Sequence, residues 1–162
     1  MKLKEAEKIA NEVKLALKPH CYRIEIAGSI RRKKQEVGDI EIVAIPKPYD
    51  IGLFESGIAT VINKWEKVKG ELPCKYTQRI HPKGIKIDIF FAEINNWGNI
   101  FALRTGSATY SHKELATKWV QKGYKSQSGY LYKNDQKIYI PEEEDLFNLL
   151  DIKYIPPEQR NI

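Results

Sequence analysis

The run AGSIRRKKQEVGDIEIVAIP, residues 27–46, constrains this chain more than any other. Its second half alternates acids with β-branched residues: Asp39 and Glu41 at one parity, Ile40 and Ile42 at the other. Strand side chains point to opposite faces in turn, so a strand here holds both carboxylates on the face opposite the isoleucines. A later run, KIDIFF, repeats the device, with Lys86, Asp88 and Phe90 on one face and Ile87, Ile89 and Phe91 on the other. If the two strands pair, three carboxylates converge on one spot. Buried carboxylates repel one another and shift their pKa values upward. A hard divalent cation such as Mg²⁺ or Mn²⁺ removes that conflict.

Four consecutive cations, Arg31, Arg32, Lys33 and Lys34, stand just ahead of the first acid. Gly28 lets backbone amides approach a ligand closely, Ser29 supplies a hydroxyl, and Gly38 offers a second point of close approach. Arg31 or Arg32 can present a planar fork to phosphate oxygens. Each element alone is ordinary: a Gly-Ser turn, a solvated basic loop, a charge on an edge strand. The ordered set equips a chain for phosphoryl or nucleotidyl transfer, with cations on a polyphosphate and acids on metals.

Around this core the sequence predicts a helix over residues 3–17, ended by Pro19, and strands at 22–27, 39–45, 75–80 and 85–92. Residues 58–65 read as a further helix. After Ala92 the character changes. Helices at 99–103 and 111–122 flank an RTGSATY loop, a hairpin spans 129–140 with its turn at Asn134-Asp135, and 143–150 is a short acidic helix. Trp65, Trp97 and Trp119 read as core, and Tyr130, Tyr132 and Tyr139 as a hairpin face packed on its helix.

At 162 residues the chain suffices for one domain or two small lobes. No apolar run is long enough for a bilayer, and the acidic, lysine-rich start is not a signal peptide. The expected location is cytoplasmic or nucleoid-associated, not secreted. Cys21 and Cys74 share no CxxC spacing and read as reduced thiols, and the three scattered histidines make no zinc cluster. The net charge of +6 leans towards a polyanion partner.

The ordered set resembles the nucleotidyltransferase superfamily, and within it family X DNA polymerases of the β type. GSIRRKKQEVGDIEI is similar to the palm motif and KIDIFFA to the strand carrying the third aspartate. FALRTGSATYSHKELATKWVQKGYK is similar to the entry to the thumb, and IPEEEDLFNLLDIKYIPPEQR to its C-terminal signature. The resemblance implies an α+β fold: a nucleotidyltransferase palm over 1–93, with a mixed sheet and flanking helices, then a small α+β thumb over 94–162. It implies a metal-dependent DNA polymerase that joins deoxynucleotides to a primer 3′-hydroxyl with release of pyrophosphate. Two Mg²⁺ ions, or Mn²⁺, would be held by Asp39, Glu41 and Asp88. Gly28, Ser29, Arg32 and Gly38 would take the phosphates, and Arg104, Thr105, Gly106 and Ser107 would line the sugar pocket. Lys86, Lys113 and Lys125 would touch DNA.

The chain departs from the family pattern in places. Glu41 stands where the second acid is usually Asp, Arg104 where an aromatic residue usually precedes TGS, and Ala108 and Ser111 where polar contacts to the base pair are common. The expectation is a minimal palm-plus-thumb enzyme, monomeric, working in repair or gap filling on primed or gapped DNA, with a ligase or similar factor aiding its grip. The alternatives are a template-independent nucleotidyltransferase and a non-catalytic nucleotide- or nucleic-acid-binding module.

Overall fold

The structure, a computed structural model, describes residues 1–162. The first helix, α1 (Leu3–Leu17), buries Ala6, Ile9, Ala10, Val13 and Leu17, the three-four stripe expected of an amphipathic helix. It lies against a five-stranded sheet of β1 (Cys21–Ile26), β2 (Asp39–Pro46), β3 (Glu66–Lys69), β4 (Tyr76–Ile80) and β5 (Lys86–Phe91), in the order β1-β2-β5-β4-β3. β2 and β5 run parallel at the centre, and every other pair is antiparallel. Between β1 and β2 the chain makes one helical turn, α2 (Gly28–Arg31).

The parity of β2 and β5 sorts the sheet as the alternation requires. Ile40, Ile42, Ile87 and Ile89 are fully buried on the α1 side, together with Ile58 and Ile62. On the other side Val43 and Ile45 pack with Ala92, Trp97 and Phe101 of the following helix, α4 (Trp97–Thr105). The acids therefore lie on the sheet face that the second half of the chain covers.

That second half has its own core of Ala102, Tyr110, Leu115, Trp119, Leu131, Ile140, Leu146, Phe147 and Leu150. It comprises α4, a continuous helical stretch and a three-stranded antiparallel sheet. The helical stretch is α5 (Ala108–Tyr110), a wide π turn (Ser111–Ala116) and α6 (Thr117–Gln121); the sheet is β6 (Lys125–Gln127), β7 (Tyr130–Lys133) and β8 (Gln136–Ile138). The closing helix is α7 (Glu143–Leu149), with a capping box between Glu142 and Asp145. Asn134 and Asp135 both take positive φ, as a two-residue hairpin turn demands.

Four expectations need correction. The helix expected over 58–65 is only α3 (Ala59–Ile62), because the buried Arg79 guanidinium takes the Ile62 and Trp65 carbonyls and the chain then turns into β3. β3 is exposed at every position, so it has no alternation to read. β6 is likewise all exposed, and it makes the expected hairpin a three-stranded sheet. The RTGSATY loop shrinks to Gly106-Ser107: Arg104 and Thr105 end α4, and Ser107 caps α5 by accepting from the Tyr110 amide. Trp97 and Trp119 are core and Tyr130 is buried, but Tyr139 is 62% exposed rather than part of a packed hairpin face.

Candidate active site

The site begins with strand register. In the parallel β2–β5 pair Glu41 stands opposite Asp88 and Asp39 opposite Lys86. All four side chains share the face toward the second lobe. Asp88 is 6% exposed, and Asp39 stands close beside it. Burial and then the Asp88 charge raise the Asp39 carboxyl above its ordinary value. Glu41 is pushed up to about 7, by burial first and then by Asp39 and Asp88. Lys86 is exposed and joins none of the ion pairs.

α2 closes the site from the β1 side. Gly28 has φ +60, and a Cβ there would stand 1.7 Å from Glu41 Oε2, so both backbone and packing require glycine. Ser29 Oγ is buried with no hydrogen-bond partner. A buried hydroxyl left without a partner is costly unless a ligand supplies one. A side chain at Gly38 would meet nothing within 4 Å, so the approach to Asp39 is open there.

The two arginines of α2 differ. Arg31 is engaged by the second lobe: it donates to both Glu143 oxygens (2.9 and 2.6 Å) and to Thr105 Oγ1 (2.6 Å), and lies 3.8 Å over the Phe101 ring. Arg160, fully buried, binds Glu143 from the other side at 2.5 Å. Burial pushes Glu143 up, but the Arg31 and Arg160 bonds and charges overcome it and hold the carboxyl below its ordinary value. Arg31 is therefore not the phosphate fork. Arg32 donates to the Thr105 carbonyl (2.8 Å) and, through Nε, to Asn161 Oδ1 (2.6 Å), which leaves Nη2 unpaired.

The residues expected to line a sugar pocket separate in the same way. Thr105 is fully buried, donates to the Phe101 carbonyl and accepts from Arg31, so it belongs to the lobe junction rather than to open space. Ser107 exchanges hydrogen bonds with the Ile162 backbone. Gly106 and Arg104 line a cleft of about 470 Å³ with Glu41, Ser111, His112 and Trp119. Arg104 also borders a cleft of about 600 Å³ beside Tyr76, Phe90 and Tyr130, and its guanidinium sits 4.2 Å over the Phe90 ring. Lys113 and Lys125 are exposed on the second lobe.

Two residues not singled out in the sequence complete the site. Tyr76 Oη and Gln78 Nε2 both donate to Asp88 Oδ1, at 2.6 and 2.8 Å. Burial, then the bond and charge of Asp88, push the Tyr76 phenol well above its usual range, so it remains a donor. The signal was present in KYTQRIHPKGIKID, because a short turn between adjacent strands fixes register. Pairing across it sets Gln78 opposite Asp88 and Tyr76 opposite Phe90.

The donor chemistry fits a hard divalent cation: three clustered carboxylates, of which Glu41 accepts no hydrogen bond and two carry raised pKa values. Their present placement is not a closed ligand set, and no three acidic, His or Cys side chains form one. Glu41 is folded against Gly28, and Asp88 Oδ1 is already occupied.

The acids thus lie on a mixed sheet with a parallel centre, beneath a small α+β lobe. Residues 101–161 match the DNA polymerase beta thumb family. Across all of this chain and 77% of the other, the structure superposes on polymerase beta of Leishmania infantum, solved as a ternary P/T complex, with a TM-score of 0.72 and 19% identity. No curated protein matches in sequence. Residues 101–161 thus match the polymerase beta thumb by sequence, and the chain shares the fold of that polymerase beta over its whole length.

Proposed function

We propose that this protein is a metal-dependent DNA polymerase that adds deoxynucleotides to a primer 3′-hydroxyl and releases pyrophosphate, in repair or short gap filling. The observation that carries the proposal is the register of Glu41 on Asp88, beside α2 and under the segment that matches the polymerase β thumb. In this reading residues 1–93 form the palm and 94–162 the thumb. Mg²⁺ ions held by Asp39, Glu41 and Asp88, with Mn²⁺ as the alternative, would supply the charge that stabilises the attacking and leaving oxygens. The chain's own groups do the rest. The unpartnered Ser29 hydroxyl and the open approach at Gly38 receive the triphosphate, with Arg32 Nη2 as its cation. Arg104, Gly106 and Ser107 border the nucleoside, and Asp88 draws on the 3′-hydroxyl proton. Lys86, Lys113 and Lys125 contact DNA phosphates, which position the strand without reading sequence. The protein acts as a monomer, and a ligase or similar factor supplies further grip on DNA.

The decisive assay offers Mg²⁺ or Mn²⁺, each labelled dNTP and NTP, and either a primed gapped template or an unprimed strand. Extension should occur only with the complementary deoxynucleotide. Asp39→Ala and Asp88→Ala should each lower it by about a thousandfold, the scale of several kcal/mol of lost charge stabilisation. Incorporation regardless of template would replace this reading with a terminal transferase. Nucleotide binding without transfer would replace it with a binding module.

A further inference from the structure

We infer that Tyr76 and Gln78 are positioning residues that saturate Asp88 Oδ1 and so confine that carboxylate to binding its metal through Oδ2 alone. This inference rests on the metal-dependent reading above. Oδ1 receives a bond from each residue, 2.6 Å from the Tyr76 hydroxyl and 2.8 Å from the Gln78 amide, whereas Oδ2 receives none. A carboxylate oxygen has two lone pairs, and two donors occupy both. The donors are themselves held. The Tyr76 ring stacks on Phe90, centroids 4.9 Å apart and planes 22° from parallel, and Gln78 stands opposite Asp88 in the β4–β5 ladder.

Both donors are neutral, which matters because an arginine or lysine in their place would cancel the charge a cation needs. The nearest basic side chain on the strand, Lys86, makes no ion pair with Asp88. Fixing a ligand's orientation from outside commonly changes metal affinity about 10–100-fold. A carboxylate limited to one oxygen also discriminates between ions. Ca²⁺ readily takes both oxygens of a carboxylate, whereas Mg²⁺ and ions of similar size favour six compact positions. Occupying Oδ1 therefore favours the smaller ion.

The test is Mn²⁺ binding, followed by loss of the free-ion electron paramagnetic resonance signal, with Ca²⁺ as competitor. The proteins are wild type, Tyr76→Phe, Gln78→Leu and the double variant. Tyr76→Phe keeps the stack on Phe90 and removes only the hydroxyl, so it carries the test if Gln78→Leu does not fold. Expected are Mn²⁺ binding weakened about threefold or more in Tyr76→Phe and about tenfold in the double variant. Ca²⁺ should compete correspondingly better, and kcat should fall with the nucleotide KM unchanged. Wild-type Mn²⁺ affinity and ion preference in the variants, even with a lowered Tm, would reduce the pair to a structural role and overturn the inference. Absence of Mn²⁺ binding by the wild type would instead bring down the metal-dependent reading, and this inference with it.

Discussion

The single turn of α2 has a carboxylate against each end, Glu143 buried and Glu41 half-buried, and the two are treated in opposite ways. At the Arg31 end, Glu143 is 5% exposed and bound by two guanidinium groups, one of them fully buried. At the Gly28 end, Glu41 is pressed against the backbone with two more carboxylates beside it and no hydrogen bond. The first arrangement is closed: its charges are compensated, its pKa is lowered, and it joins the two lobes. The second is open, with a raised pKa, no hydrogen bond, and only the unbonded charges of Arg32 and Arg104 to offset it. Compensated burial marks a structural joint, and uncompensated burial marks a place where a ligand must complete the electrostatics.

The largest effect should come from opening the closed end. Glu143→Ala strips the fully buried Arg160 and the half-buried Arg31 of their ion partner, a change that costs about 3–5 kcal/mol in comparable sites. Chemical denaturation should show this as a lower midpoint. Glu41→Gln relieves repulsion and should leave stability equal or higher while extension falls. If both substitutions cost the same stability, the contrast between the two ends is wrong. The closed end also fixes a pH dependence. Because Glu143 is held below its ordinary carboxylate value, its contribution is present above that value and is lost as pH falls through the lowered one. A Glu143→Gln variant should therefore lose the part of acid unfolding that the wild type shows in that window.

Next in size is Gly28→Ala, which strikes the open end alone. The left-handed backbone costs a non-glycine residue about 1–2 kcal/mol, and the new methyl must displace the Glu41 carboxylate. Stability should fall by about that amount, and Mn²⁺ affinity should change with it. The Arg31–Glu143 joint should remain, seen as an unaltered acid-unfolding limb. An unchanged Mn²⁺ affinity would show that Glu41 does not need its place against Gly28.

How much of this was legible depends on distance along the chain. Strand parity is local, so DIEI and KIDIFF disclosed which acids share a face, and the three-four stripe disclosed α1. Pairing β2 directly with β5 is not local, and neither is the role of Arg31, whose partner Glu143 lies 112 residues away. Nothing in RRKK distinguishes the arginine that joins the lobes from the one that stays partly free. The polar edge strands β3 and β6 bury no face and so leave no periodic mark. Tyr76 and Gln78 stood within reach, since the short HPKG turn makes their register with Asp88 nearly forced.

The smallest expected effect lies just past the Arg31 end, at Arg32. Its Nε is held by Asn161, and Ser107 Oγ by the Ile162 backbone, so the same tail touches two residues assigned to the nucleotide. A surface substitution at Asn161 should alter stability by no more than about 0.5 kcal/mol. If Arg32 serves the triphosphate, Asn161→Ala frees one more of its donors. Freed from Asn161, Nε can donate to the triphosphate instead, so the nucleotide KM should fall several-fold at unchanged kcat. Arg32→Ala should raise that KM and leave DNA affinity almost untouched. If KM responds to neither substitution, Arg32 belongs with Arg31 to the joint, and the open end has only Ser29 and its backbone to receive phosphate.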